Sequence, residues 1–272
     1  MKRLASVLAA LLLAALTGCA TVPGGDGAAA AAGGVPSVVR QVNPKDPWEP
    51  WNRSVYAFNE AVDEAVLKPV AQAYVKVMPE FLRTTIGNFF GNFGDAWSTV
   101  NHFLQGKLQS GLEMGMRVGV NSVFGIGGLL DIATEAGLER RDEDFGQTLG
   151  VWGLPAGPYL VWPILGPSSV RETAALPLDR GFGPGLVIND GGAIAGLTTL
   201  QVVETRARLL NASRLLGDVA LDKYVFTRDA YLTRRRSLVY DGDPPPEPDE
   251  DADRPDDKAS DKSPDKPAAE KK

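Results

Sequence analysis

Thiol and imidazole, the groups best suited to nucleophilic and acid–base work near neutral pH, occur once each in this chain of 272 residues, at Cys19 and His102. One histidine leaves almost no way to build a Ser-His-Asp or Cys-His relay, and no Gly-x-Ser-x-Gly elbow is present. Asp144-Phe145-Gly146 imitates a kinase tripeptide, but the glycine-rich loop, strand lysine and His-Arg-Asp that such chemistry requires are missing. Gly106-Lys107 is followed by Leu108 and lacks the upstream glycine of a phosphate loop, so the chain has no nucleotide engine. His102, between Asn101 and Phe103 on an amphipathic stretch, reads as a helix-surface or core histidine. As a metal ligand it could at best join carboxylates. The residues predict neither catalysis, nor a cofactor, nor a metal.

The one reactive group with an informative position is the Cys19 thiol. A basic start at Lys2 and Arg3 leads into an uncharged stretch from Leu4 to Leu16, the layout of a secretory signal. That stretch is well short of the ~20 apolar residues a spanning helix needs. It ends in Leu16-Thr17-Gly18-Cys19, which resembles a bacterial lipobox: residues 1–18 are cut away and the cysteine becomes an acylated first residue. Ala20 follows in place of the aspartate that tends to hold lipoproteins at the inner membrane, which implies the outer membrane, on its periplasmic side. With no second cysteine there is no disulfide.

Charge separates a body from a tail. Residues 241–272 carry 12 acidic and 6 basic side chains, so the tail accounts for the whole net charge of -6, and residues 19–240 are nearly neutral. A concentrated basic face of the kind nucleic acids require is absent. The tail lacks aromatic residues and cannot offset chain entropy by burial, so it is expected to be disordered. Residues 19–45, rich in Ala, Gly, Pro and Val, suit a flexible tether.

The intervening residues 46–240 read as successive helices, an all-α class. Asn52 is placed to cap a helix whose Val55, Phe58, Val62 and Val66 share a face. Pro69 is tolerated at a helix start, and Val70, Ala73, Tyr74 and Val77 follow before Pro79. Stripes continue through Leu82, Ile86, Phe89, Phe90 and Phe93, then Trp97, Val100 and Leu104, then Leu108, Leu112, Met116, Val120 and Val123. Leu200, Val203, Ala207 and Leu210 oppose Glu204, Arg206 and Arg208, and Asp218 is placed to cap a last helix. Arg234, Arg235 and Arg236 suit the C-terminal end of its dipole and solvation, with contact to phosphate as the alternative. Gly150 to Pro167 breaks the pattern: apolar throughout but interrupted by Pro155, Pro158, Pro163 and Pro167, it cannot be one helix, and Pro163 argues against a central strand. Such an element must be buried or face lipid, with Gly153 and Gly157 as flexible points.

Several spaced motifs then coincide. Asp46-Pro47-Trp48-Glu49-Pro50-Trp51-Asn52-Arg53, Leu67-Lys68-Pro69, Asn88-Phe89-Phe90-Gly91-Asn92, Gln105-Gly106, Gly125-Ile126-Gly127-Gly128-Leu129-Leu130-Asp131, Asp144-Phe145-Gly146-Gln147-Thr148-Leu149-Gly150 and Gly157-Pro158-Tyr159 resemble the MlaA (VacJ) family of outer-membrane lipoproteins. The resemblance covers residues 46–240. It implies a ring-like helical bundle with a central channel, seated in one leaflet and associated with a trimeric porin. It also implies removal of phospholipid mislocalised to the outer leaflet and its transfer to a periplasmic carrier of the MlaC type. Cys19 is then the lipid attachment, and Phe145, Trp152, Gly153, Gly157 and Tyr159 surround the passage. Pro155 stands where a small flexible residue is expected, and Glu172 follows Arg171 where the family often has aspartate. Exposing two acyl chains to water uncovers on the order of 30 methylenes at ~0.8 kcal/mol each, about 24 kcal/mol, so a conduit must offer continuous apolar cover. Trp48, Trp51, Trp97, Trp152 and Trp162 suit a headgroup boundary. The rival expectations are a porin-associated structural lipoprotein without a channel, and a phospholipase, which the missing nucleophile and base disfavour.

Overall fold

The computed structural model describes residues 43–246. The leader, Cys19, nearly all of the expected tether and the tail from residue 247 onward lie outside the described residues.

The chain is helical, with one short hairpin. Helix α1 (Glu49–Val62) runs through a π-helical turn (Asp63–Leu67) into α2 (Lys68–Val77), whose first turn carries Pro69 as expected. Pro79 occupies the cap of α3 (Glu80–Leu104), and Gly106, at φ +76°, lets the chain reverse into α4 (Leu108–Val123). A single turn, α5 (Ile132–Glu135), precedes α6 (Phe145–Val151), the strands β1 (Tyr159–Trp162) and β2 (Gly166–Ser169), and α7 (Val170–Gly181). A 3-10 turn (Pro184–Leu186) then leads to α8 (Gly191–Arg208), α9 (Leu210–Val219) and α10 (Lys223–Val239). Asp131, Asp144, Ser169 and Asp190 accept hydrogen bonds from the third residue beyond each, which starts α5, α6, α7 and α8. The last helix is capped by Asp222, through Val225 N, rather than by Asp218.

The hairpin corrects the strand expectation. Tyr159 pairs with Ser169 and Trp162 with Gly166, while Pro163 sits in the turn, where its missing N–H costs no ladder bond. Two asparagines of α1 stand in for a third strand. Asn52 donates to the Tyr159 carbonyl (3.0 Å) and accepts from Val161 N (2.9 Å), and Asn59 does the same for the Trp162 carbonyl (2.9 Å) and Ile164 N (2.7 Å). Asn52 is therefore a buried strap in the first turn of the helix, not its cap. Its amide also reaches Asp46 (2.8 Å), which in turn accepts from the Tyr224 hydroxyl of α10 (2.5 Å).

Neighbouring elements close a circuit: α1 packs on β1, β2 on α10, α10 on α6, α6 on α3, α3 on α8, α8 on α2, and α2 returns through the π-helical turn to α1. A circular order of packing is what the ring expectation requires.

Polarity is inverted across α3 and α4. The apolar stripe of α4 faces out, with Leu108 64%, Leu112 62%, Met116 53% and Val123 73% exposed, while Arg117 is fully buried. Arg117 donates to Asp95 of α3 (3.1 Å), to both carboxylate oxygens of Asp131 (2.9 and 2.8 Å), to Thr134 (2.9 Å) and to the Leu138 carbonyl. Asp95 also holds Arg140 (2.7 Å), and Asn121 bonds Asp131 (3.1 Å) and Ala133 N (2.9 Å). Burial alone would raise the Asp131 carboxyl, but hydrogen bonds from Thr134, Arg117 and Asn121 outweigh it and hold it at about 2. Buried charges this well saturated are tolerable, whereas an unpaired one is not. Glu204, expected on the polar face of α8, is likewise buried, paired with Arg208 (2.8 Å). Among the described residues no helix is long and apolar enough to cross a membrane.

Candidate functional site

The site is organised by α6 and the arch that follows it. Asp144 starts the helix by accepting from Gln147 N (2.8 Å), and Gly153 stops it. Gly153 N bonds the Gly150 carbonyl and Leu154 N the Leu149 carbonyl, both at 2.9 Å. With Gly153 at φ +93°, these two bonds make the Schellman termination that glycine favours. The chain then arches through Pro155 to Gly157, at φ +69°, where a Cβ would lie 3.1 Å from the Cβ of Val170. The arch is tied down by Arg171 N to the Ala156 carbonyl (3.1 Å) and by the Arg171 guanidinium to the Leu154 carbonyl (3.2 Å).

Between the arch and α10 lies a cleft of about 480 Å3. Leu154, Ala156, Leu232 and Val239 supply apolar wall, and Lys45, Arg171, Arg235 and Arg236 supply cations against the single carboxylate of Asp229. Such a lining suits a ligand that is greasy along its length and negative at one point.

Arg171 and Arg235 belong to a chain of four alternating charges whose two carboxylates lie behind the lining. Asp144 accepts from Arg235 through both oxygens (2.5 and 2.8 Å), Arg235 reaches on to Glu172 Oε2 (2.5 Å), and Glu172 Oε1 receives Arg171 (2.7 Å). Burial would raise the Asp144 carboxyl, but the Arg235 guanidinium and the Gln147 contacts more than offset this and lower it. Burial works against the Arg235 charge too, and is overcome by Asp144 and Glu172. This network fixes the identity of Gly146, where a Cβ would fall 1.7 Å from Glu172 Oε2. Arg235 and Tyr231 also line a polar cavity of about 920 Å3, shared with His102, Lys107 and Glu143, and a small one of about 170 Å3. They stand where three cavities adjoin.

The residues expected around the passage fall into three places. Gly153 and Gly157 line the cleft. Phe145 and Trp152 meet edge to face at 6.1 Å on α6, where Phe145 N donates to Asp179 (2.8 Å) and Trp152 Nε1 to the Leu104 carbonyl (3.1 Å). Tyr159 is fully buried with Val55, Val161 and Tyr224, its hydroxyl without a partner and its phenol pushed up chiefly by burial. Cys19 lies outside the described residues. Of the tryptophans, Trp48, Trp51, Trp152 and Trp162 have exposed indoles, whereas Trp97 is half-buried, stacked on Phe182 and bonded to Asp179 (2.8 Å). His102 is buried, with Nε2 3.2 Å from the Arg141 carbonyl and Nδ1 unpartnered.

Sequence reasoning missed Arg171, Glu172 and Arg235. Of the three arginines at 234–236, placed by the sequence for capping and solvation or for meeting phosphate, Arg235 points inward while Arg234 has no ion-pair partner among the described residues. The signal was spacing: Arg235 falls one turn after Tyr231, on the face that carries Tyr224 and Arg228 into the core.

Comparison with known proteins agrees with this architecture. The family model described as MlaA lipoprotein matches residues 44–238. The intermembrane phospholipid transport system lipoprotein MlaA of Escherichia coli K12 is 35% identical over 211 residues, covering 76% of this chain and 83% of that protein. The Haemophilus influenzae Rd protein of the same name is 30% identical over 251 residues, covering 87% and 91%. A chain solved in work on the structural basis for maintenance of bacterial outer membrane lipid asymmetry aligns with a TM-score of 0.64 at 34% identity, over 71% of this chain and 98% of that one.

Proposed function

The chain belongs to the MlaA lipoprotein family, and on that premise we propose that it transports phospholipid between membranes, keeping the outer leaflet of the outer membrane free of it. In this reading the protein is a non-enzymatic conduit. It is held at the outer membrane by acyl chains on Cys19, faces the periplasm, and works beside a trimeric porin. Lipid leaves it for a soluble carrier of the MlaC type.

One observation carries the reading: the inverted polarity of α3 and α4. A protein bathed only in water would turn Leu108, Leu112, Met116 and Val123 inward, because each buried side chain of this size is worth about 1.5–3 kcal/mol. Here they face out while Arg117, Asp95 and Asp131 fill the interior. That arrangement fits hydrocarbon outside the ring. The cleft beside the arch, apolar on its walls and cationic on its floor, supplies the matching interior for an amphiphile. Gly153 and Gly157 give the arch its bends, and Phe145 with Trp152 anchors its first leg to α3. Tyr159 supports the passage from the core.

The test is genetic and chemical. A strain lacking the protein should accumulate phospholipid in its outer leaflet, measured by accessibility to an added outer-leaflet acyltransferase or phospholipase. The wild-type chain should reverse this and Cys19→Ala should not. Equal restoration by Cys19→Ala would remove the anchor assignment, and an unchanged outer leaflet in the deletion strain would remove the transport reading. Incubation of the purified protein with labelled phospholipid should release neither fatty acid nor lysolipid, and their appearance would restore the phospholipase alternative.

A further inference from the structure

Behind the two arginines that line the cleft an anion is already in place. Glu172 lies between two guanidiniums, with Oε1 2.7 Å from Arg171 and Oε2 2.5 Å from Arg235. A carboxylate gripped on both sides in this way has the footprint of a phosphodiester, whose two free oxygens take the same pair of guanidiniums. Both arginines line the 480 Å3 cleft, next to the apolar Leu154, Leu232 and Val239. Glu172 itself opens instead onto the neighbouring cavity of about 170 Å3, which Arg180 also lines, and Arg180 has no ion-pair partner among the described residues. The displaced carboxylate thus has both room and a cation to move toward. Arg235 meanwhile keeps its bidentate partner Asp144, so the exchange strips neither arginine of compensation.

We propose that Glu172 is an internal plug, holding between Arg171 and Arg235 the place that the phosphate of a phospholipid takes when one occupies the cleft. This rests on the transport reading and deepens it by naming the headgroup contact. Lipid entry becomes an exchange of one anion for another. The empty cleft never exposes an uncompensated pair of arginines, and the bound lipid is released when Glu172 returns. Glutamate matters here by length: an aspartate after Arg171 would be one methylene shorter and could not hold both guanidiniums in this geometry.

The experiment uses the full-length protein in detergent and three probes: dihexanoyl phosphatidylglycerol, dihexanoylglycerol, which lacks the phosphate, and inorganic phosphate. Removing the competing charge with Glu172→Gln should tighten phosphatidylglycerol binding about tenfold, as one charge-assisted bond is freed for the ligand. Glu172→Asp should tighten it by a smaller factor, and this variant carries the same test should Glu172→Gln not fold. Dihexanoylglycerol should bind equally to all three proteins. Adding Arg235→Gln to Glu172→Gln should abolish the gain. Phosphatidylglycerol binding that is unchanged or weaker in both Glu172 variants, with the wild type still binding lipid, overturns the plug and leaves the transport reading standing. Inorganic phosphate binding as tightly as phosphatidylglycerol overturns it too, because the site would then belong to free phosphate. A wild type that binds no phospholipid overturns both readings.

Discussion

The outward stripe of α4 gives the most direct handle on where this protein sits. Leu112 is 62% exposed in the middle of that stripe. In water, replacing so exposed a residue changes stability by less than about 0.5 kcal/mol. Against acyl chains the same change is severe: an aspartate at the centre of a membrane helix costs about 2.5–3.5 kcal/mol and the lost leucine a further ~0.5. Allowing for a position nearer the headgroups, Leu112→Asp should weaken insertion by about 3 kcal/mol, close to 150-fold in partition. The acyl anchor would mask this, so the comparison is made in a Cys19→Ala background by flotation with phospholipid vesicles. Glu113→Gln is the control, because Glu113 lies on the other face and pairs with Arg141 (3.0 Å). Thermal melts in detergent should match between Leu112→Asp and its parent. A partition change below about threefold would refute the claim that this face meets hydrocarbon, and a melt lowered by several degrees would mean that Leu112 packs against protein instead.

Three further outcomes follow from the interior. Arg117→Met strands Asp131 and part of Asp95 in the core, so stability should fall by about 3–5 kcal/mol, read from chemical denaturation in detergent. Gly146→Ala drives a methyl into Glu172 Oε2 and should cost about 1–3 kcal/mol, read from chemical denaturation in detergent. Acid should act through Asp131, whose folded carboxyl lies near 2, below its ordinary 3.8. Since the folded pKa is depressed, its contribution is complete above about pH 4 and is lost as the pH falls toward 2. Asp131→Asn should flatten that part of the stability profile, measured as melting temperature against pH.

Much of the helical order could be read from residue spacing. Pro79 ends α2 as its spacing implies and also caps α3, Pro69 sits in the first turn of α2 just after the π-helical turn, and the stripes from Leu82 to Val123 follow α3 and α4. The caps were half legible. Asn52 looks like a capping residue by type, yet only the fold reveals that β1 lacks a third strand and that Asn52 and Asn59, seven residues apart on α1, supply its hydrogen bonds. The chain of charges at the cleft was least legible, because Asp144, Arg171, Glu172 and Arg235 come from α6, α7 and α10 and no local pattern connects them.

The remaining errors share one physical cause. A hydrophobic stripe gives the axis of a helix's asymmetry but not its sign, and the rule that apolar faces turn inward assumes water outside. Along α4 the sign is set by Arg117, whose five donors find Asp95, Asp131, Thr134 and the Leu138 carbonyl together in the interior. The same reversal hid the hairpin. Strand β1 buries Tyr159 and Val161, but Trp162 on its other face is apolar too, so the alternation that betrays a half-buried strand never appears.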